Sequence, residues 1–175
     1  MKHANLVLVG FMGTGKSVTG RRLAARLGRR FVDMDAVIEE RAGRTVPEIF
    51  ARDGEARFRE WERALVGELA ARQDLVIAAG GGVVLHPENV RDFERTGFVV
   101  CLSAAPEAIL KRVGHHRNRP LLEGADKERR VKELLEKRRP LYEAIALQVD
   151  TTGLTPDEAA SRILALCEEK PDPAP

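Results

Sequence analysis

Gly10-Phe11-Met12-Gly13-Thr14-Gly15-Lys16-Ser17 decides the fold, because it matches the pattern G-x-x-x-x-G-K-[ST] in full. Residues 6–9 before it form a short apolar run typical of a buried strand. Residues 18–27 after it follow a helical pattern that stops at Gly28. A strand, a glycine-rich loop and a helix in this order turn successive backbone N–H groups towards one concavity at a helix N-terminus. The stretch therefore predicts a phosphate-binding loop (P-loop).

The side chains of this loop are suited to a nucleotide. Lys16 would place a cation against the β- and γ-phosphates, and the Ser17 hydroxyl would be a ligand of Mg²⁺, which prefers oxygen donors. The nucleotide-binding residues predicted for this segment are Gly13, Thr14, Gly15, Lys16, Ser17 and Val18.

Composition limits the protein to a few classes. The chain has 175 residues, of which 43% are hydrophobic and 32% charged, enough for one compact domain, placed at 1–170 with a disordered tail at 171–175. The net charge of +2 gives no basic face for nucleic acid. No segment approaches the roughly 20 apolar residues of a membrane span, and the apolar start is too short for a signal peptide. We expect a cytoplasmic protein with buried, reduced Cys101 and Cys167.

Apolar runs of strand length alternate with helical patterns along the chain. Strands are predicted at 30–32, 75–79, 98–102 and 146–150, and helices begin near 37, 45, 55, 127 and 155. Continuous apolar runs are typical of a parallel sheet that is covered on both faces. The sequence therefore predicts an α/β fold, in which ligands bind at the carboxyl ends of the strands.

Two carboxylates follow the second predicted strand, in Asp33-Met34-Asp35. If the extended backbone continues, Met34 points away from its neighbours and both carboxylates face the phosphates. One could hold the water around Mg²⁺, and the other could accept the proton of an attacking hydroxyl. A bare D-x-D pattern is weak evidence by itself.

Glycines and arginines extend this edge of the sheet. Gly80-Gly81-Gly82 follows the third predicted strand and exposes backbone to a ligand, unless it is only a tight turn into the next helix. Arg59 and Arg138 could each bind a carboxylate, or could each be a surface charge.

Together these motifs resemble the shikimate kinase family, a branch of the nucleoside monophosphate kinase-like P-loop kinases. The resemblance extends from Leu6 to about Leu166. Besides the P-loop it rests on Asp33-Met34-Asp35, Gly54-Glu55-x-x-Phe58-Arg59-x-x-Glu62, Gly80-Gly81-Gly82, Arg119-Pro120-Leu121-Leu122 and Arg138-x-Pro140-Leu141-Tyr142. It implies a three-layer α/β/α fold with a five-stranded parallel sheet in the order 2-3-1-4-5. It also implies a mobile lid at about 113–125 and substrate-binding helices at about 34–62.

The resemblance also implies an activity. Such a kinase transfers the γ-phosphate of ATP to the 3-hydroxyl of shikimate, a step of aromatic amino acid biosynthesis, with one Mg²⁺ per subunit. The implied catalytic residues are Asp35, Lys16 and Arg119, and the implied metal ligands are Ser17 and Asp33. The implied shikimate-binding residues are Asp35, Arg59, Gly80, Gly81, Gly82 and Arg138. Arg112, Arg119 and Pro156 would border ATP, and Phe50 and Phe58 would pack near the shikimate ring.

Other functions stay open at this stage. Another small-molecule P-loop kinase could act on gluconate or a nucleoside monophosphate, although Asp35, Arg59 and Arg138 together favour a hydroxylated carboxylic acid. A regulatory GTPase is suggested only by Asp150-Thr151-Thr152-Gly153, which matches D-x-x-G without any N-K-x-D motif. We expect a monomer, and His115 and His116 receive no role.

Overall fold

The computed structural model describes residues 3–113 and 127–170. Its strands are β1 Asn5–Val9, β2 Arg30–Asp33, β3 Leu75–Ala78, β4 Gly97–Ser103 and β5 Leu147–Asp150. Its helices are α1 Lys16–Leu27, α2 Met34–Ala42, α3 Val46–Ala70, α4 Pro87–Glu94, α5 Pro106–Val113, α6 Lys127–Glu143 and α7 Pro156–Glu168. A short 3₁₀ turn at Val83–Leu85 precedes α4.

The five strands form one parallel sheet in the order β2-β3-β1-β4-β5. This confirms both the α/β class and the strand order implied by the family resemblance. β1 is the central strand, with Val7 opposite Ile77 on one side and Val99 on the other. The P-loop therefore leaves the middle of the sheet, where open α/β sheets bind their ligands.

Alternate residues of the inner strands enter two separate cores. In β1, Val7 and Val9 pack with residues of α2 to α6, whereas Leu6 and Leu8 pack with α1 and α7. Successive side chains of a strand point to opposite faces, so a sheet covered on both faces needs apolar residues at every position. The helices on each face make the three layers that were expected.

Local signals set the ends of several helices. Thr45 with Glu48 and Thr155 with Glu158 each form a capping box, in which side chains and backbone N–H groups bond reciprocally. The helices predicted from 45 and from 55 are both present and lie within α3, separated at Gly54, whose φ is 81°. Pro140 lies inside α6, near its C-terminal end.

The extended backbone expected through Asp33-Met34-Asp35 is wrong. β2 ends at Asp33, and α2 begins at Met34, which is fully buried in the core. Asp33 and Asp35 nevertheless line the same cleft. The helical turn thus brings the two carboxylates together in place of the expected pleat.

Both cysteines are buried and free, as expected, and burial raises the pKa of the Cys101 and Cys167 thiols to about 11. Within residues 3–113 and 127–170, no helix combines the length and the apolar character of a membrane span. The proposed tail and all of the proposed lid except Val113 lie outside the described residues.

A buried amide at the start of β1 gives a test of the fold. Asn5 Nδ2 donates to the Arg72 carbonyl at 2.7 Å, and Asn5 Oδ1 accepts from the Leu75 N–H at 3.0 Å. Asn5→Ala should lower the free energy of unfolding by about 2 kcal/mol, because both backbone groups lose a partner. Urea unfolding measures this, and Gln73→Ala, which removes an exposed amide nearby, should have almost no effect. Equal stability of the two variants would contradict the role of Asn5.

Candidate functional site

The P-loop runs from the end of β1 to the first turn of α1. Gly10 has a φ of 132°, and a Cβ there would lie 2.2 Å from the Leu102 carbonyl oxygen of β4, so the close approach requires glycine. Lys16 Nζ donates to the carbonyls of Gly10 and Phe11 at 2.8 and 3.0 Å. The loop thus holds the ammonium group above a helix N-terminus, where anions are favoured.

The loop forms one wall of a cleft of about 560 Å³, called here the P-loop cleft. Among the residues that line it are Gly13, Thr14, Gly15, Lys16, Ser17, Val18, Asp33, Asp35, Gly81, Arg112 and Pro156. Within the described chain, the structure therefore brings together every residue that was predicted to bind the nucleotide or the metal. Val18 is half exposed.

Two oxygen donors meet inside this cleft. The Ser17 hydroxyl donates to Asp33 Oδ2 at 2.6 Å. A hydroxyl beside a carboxylate is a donor set suited to a hard divalent cation such as Mg²⁺. The chemistry of these two residues therefore fits the metal that the sequence predicts.

Thr151, directly after β5, supports the P-loop, a role that the sequence did not reveal. Its buried Oγ1 lies 3.0 Å from the Thr14 carbonyl oxygen and 2.9 Å from that of Ser103. Arg112 donates to the Gly13 carbonyl at 3.2 Å and to the Thr151 carbonyl at 2.9 Å. Thr151 occupies a variable position of the D-x-x-G match, and its observed contacts are with the backbone of the P-loop and of β4.

A cluster of charged side chains lies beside the triple-glycine turn, Gly80-Gly81-Gly82. Arg59 donates to Glu62 Oε2 at 2.7 Å and to Glu55 Oε1 at 2.8 Å, and its side chain is only 11% exposed. A Cβ at Gly82 would lie 2.2 Å from Arg59 Nη1. Arg59 is therefore not a surface charge, and it packs against a backbone that has no side chain.

Glu62 is the second residue that sequence reasoning missed, since it was quoted in a motif without a role. It is 1% exposed, and Oε1 has no hydrogen-bond partner among the described residues. Burial raises the pKa of the Glu62 carboxyl and the Asp35 carboxylate adds to this, whereas Arg59 opposes it. The available signal was its spacing of four residues from Phe58, which puts a carboxylate on the apolar stripe of α3.

Gly80 lies between two of these carboxylates. A Cβ there would be 2.5 Å from Glu62 Oε1 and 2.9 Å from Asp35 Oδ1. Asp35 thus borders both the P-loop cleft and the charged cluster. The turn is also tight, because the Val83 N–H donates to the Gly80 carbonyl at 3.1 Å. The three glycines therefore form the tight turn that was one of the two sequence interpretations, and contact with a ligand stays a prediction.

Helix α6 reaches the same turn from the other side. Arg138 Nη1 and the Tyr142 hydroxyl donate to the Gly81 carbonyl at 3.3 and 2.6 Å. Arg138 is 5% exposed, so it is not a surface charge either. Arg59 and Arg138 approach the triple-glycine turn but do not line the P-loop cleft.

The remaining predicted residues divide into two groups. The rings of Phe50 and Phe58 lie 5.0 Å apart, and Phe58 is buried in the core. Arg119, His115 and His116 lie outside the described residues.

Comparison with known proteins points to a single family. The family model "Shikimate kinase" matches residues 12–168. The chain is 48% identical to a shikimate kinase of Pelotomaculum thermopropionicum over 165 residues, which cover 94% of this chain and 96% of that protein. It is 46% identical over 160 residues to a shikimate kinase of Thermodesulfovibrio yellowstonii, covering 91% and 92% of the two chains.

A solved structure gives the same result. The structure of shikimate kinase from Acinetobacter baumannii in complex with shikimate superposes with a TM-score of 0.91. The two sequences are 38% identical, and the match covers 95% of this chain and 94% of the other.

The single tyrosine of the chain reports directly on this site. Burial raises the pKa of Tyr142 to about 12, against the opposing charge of Arg138. Because the folded pKa exceeds the unfolded value of about 10, the tyrosine contributes stability that is complete below pH ~10 and is lost as the pH rises towards 12. Ultraviolet titration of tyrosinate should give a midpoint near 10 in urea and well above it in the native protein. Equal midpoints would contradict the buried geometry.

Proposed function

The chain belongs to the shikimate kinase family, and on that premise we propose that the P-loop cleft and the triple-glycine turn are its ATP and shikimate sites. The protein transfers the γ-phosphate of ATP to the 3-hydroxyl of shikimate, giving shikimate 3-phosphate and ADP. One observation carries the assignment of residues. Asp35 lines the P-loop cleft and also lies against Gly80, so one carboxylate borders both sites.

ATP would bind with its phosphates at the N-terminus of α1. The P-loop N–H groups would donate to the phosphate oxygens, and Lys16 would neutralise charge on the β- and γ-phosphates. Arg112 and Pro156 would border the rest of the nucleotide, since both line the same cleft. Arg112 would also keep the loop in its conformation through the Gly13 carbonyl.

Ser17 and Asp33 are the residues that would hold Mg²⁺, because both line the cleft and their oxygen atoms are in contact. When bound, the cation would neutralise negative charge on the transferring phosphate. The two side chains would also keep the metal on the side of the cleft where β2 ends.

Shikimate would bind with its carboxylate between Arg59 and Arg138. A guanidinium group is a planar fork that can hold a carboxylate by two hydrogen bonds. Glu62 and Glu55 already fix the orientation of Arg59, so little order is lost when the substrate binds. The Gly81 backbone would contact the substrate, and the absence of a side chain at Gly80 leaves room for the carboxylates of Glu62 and Asp35.

The reaction would then follow from the position of Asp35. Its carboxylate would accept the proton of the 3-hydroxyl while that oxygen forms a bond to the γ-phosphorus. The bond from phosphorus to the bridging oxygen breaks, and ADP leaves. We propose from the resemblance that Arg119 adds positive charge at this stage.

The protein is proposed to act as a monomer in the cytoplasm, where ATP is available. No step proposed here uses a residue from a second subunit.

The first test is release of ADP in the presence of ATP, Mg²⁺ and a panel of shikimate, quinate, gluconate and nucleoside monophosphates. Release should depend on shikimate. Asp35→Asn should lower kcat at least ~100-fold, because it keeps the shape of the side chain but removes the proton acceptor. Asp74→Asn, directly before β3 at the opposite edge of the sheet, is the matched control and should keep the parent rate. Normal turnover by Asp35→Asn would exclude this carboxylate as the base.

Gly82 tests the placement of the proposed shikimate-binding arginine. Gly82→Ala would put a Cβ within 2.4 Å of three guanidinium atoms of Arg59, so the side chain must move. We expect the KM for shikimate to rise at least ~10-fold with an unchanged KM for ATP, since the P-loop cleft is not touched. Gly67 lies on α3, as Arg59 does, and a Cβ there would meet nothing within 4 Å, so Gly67→Ala serves as the control. Unchanged shikimate kinetics in Gly82→Ala would show that Arg59 does not bind the substrate from this position.

A further inference from the structure

Tyr142 has no role in the proposed reaction, yet its hydroxyl donates a short hydrogen bond to the triple-glycine turn. It donates to the Gly81 carbonyl at 2.6 Å, and Arg138 Nη1 donates to the same oxygen at 3.3 Å. The two residues are four apart on α6, so they lie on one face of the helix. Two donors from one helix thus meet at one acceptor.

We propose that Tyr142 is a positioning residue that keeps Arg138 available for the substrate carboxylate by taking over the Gly81 carbonyl. This inference rests on the proposed function of Arg138. Tyr142 does not line the P-loop cleft and would not contact the transferred phosphate. It would act only through the turn and through the neighbouring guanidinium.

The Gly81 carbonyl needs a hydrogen-bond donor. It lies beside two side chains that are each less than a tenth exposed, and a carbonyl that is partly removed from water is costly to leave without a donor. With the tyrosine present, the short bond satisfies the oxygen, and the arginine contact is long and uses one nitrogen. Arg138 carries five N–H donors, so most of them stay available to a ligand.

Loss of the hydroxyl would change this balance. The Gly81 carbonyl would then depend on Arg138, and the guanidinium would move towards it. A bidentate bond to a carboxylate would have to compete with that contact. Shikimate binding should weaken, while ATP binding and the chemical step stay as they were.

The surroundings of Tyr142 keep its hydroxyl in place as a hydrogen-bond donor. Its ring lies in a pocket with Phe11 and Cys101, and burial keeps the phenol protonated at neutral pH. Gln148 Nε2 donates to the Tyr142 carbonyl at 2.7 Å and fixes the end of α6. Tyr142→Phe would leave this packing and this bond in place and remove a single oxygen.

The test compares Tyr142→Phe with the parent enzyme. The KM and the calorimetric Kd for shikimate should rise about tenfold, with kcat within about twofold and an unchanged KM for ATP. Gln148→Ala is the control for a purely structural effect and should lower the melting temperature without a selective change for shikimate. Equal losses for shikimate and ATP, or no loss for either, would overturn the proposal.

A double-mutant cycle shows whether Tyr142 acts through Arg138. In an Arg138→Ala background, calorimetry should show that Tyr142→Phe no longer changes the shikimate Kd, because the residue through which it acts is gone. The same fold-loss in both backgrounds would show that Tyr142 acts without Arg138 and would overturn the inference. A parent protein that releases ADP without shikimate would instead overturn the proposed function, and the two failures are therefore distinguishable.

Discussion

The buried pair of Arg59 and Glu62 is the interaction on which the proposed shikimate site depends. Both side chains are largely removed from water, and removal of one partner from a buried ion pair typically costs about 3–5 kcal/mol. The pair therefore persists only if the backbone beside it leaves enough room. Gly80 and Gly82 provide that room, because a Cβ at either position would lie within 2.5 Å of one of these charged groups. The charged side chains of α3 thus occupy the space that side chains on the glycine turn would need.

The parallel sheet connects this cluster with the nucleotide site. β1, β2 and β3 all end at one edge, which carries the P-loop, the Asp33–Asp35 segment and the three glycines. Asp35 lies between the P-loop cleft and the charged cluster, because it lines the cleft and also lies against Gly80. The same topology lets α6 bring Arg138 and Tyr142 to the turn from the opposite side.

Much of this arrangement could be predicted from the sequence. The P-loop, the capping boxes at Thr45 and Thr155, and the apolar runs of the inner strands are local patterns whose physical causes act within a few residues. The prediction of an extended backbone through Asp33-Met34-Asp35 was wrong because it too relied on a pattern of only a few residues. Three residues do not show whether a strand continues, and here β2 ends at Asp33 and α2 begins with the buried Met34.

The sequence by itself determined the fold class, the phosphate-binding loop and the set of charged residues that a kinase of this family requires. Only the tertiary structure decided which of those charges are buried and what they contact. Thr151 reaches the P-loop from 137 residues away, and Tyr142 reaches Gly81 from 61 residues away. Such contacts depend on strand order and helix packing across the whole sheet, so no local pattern of residues specifies them.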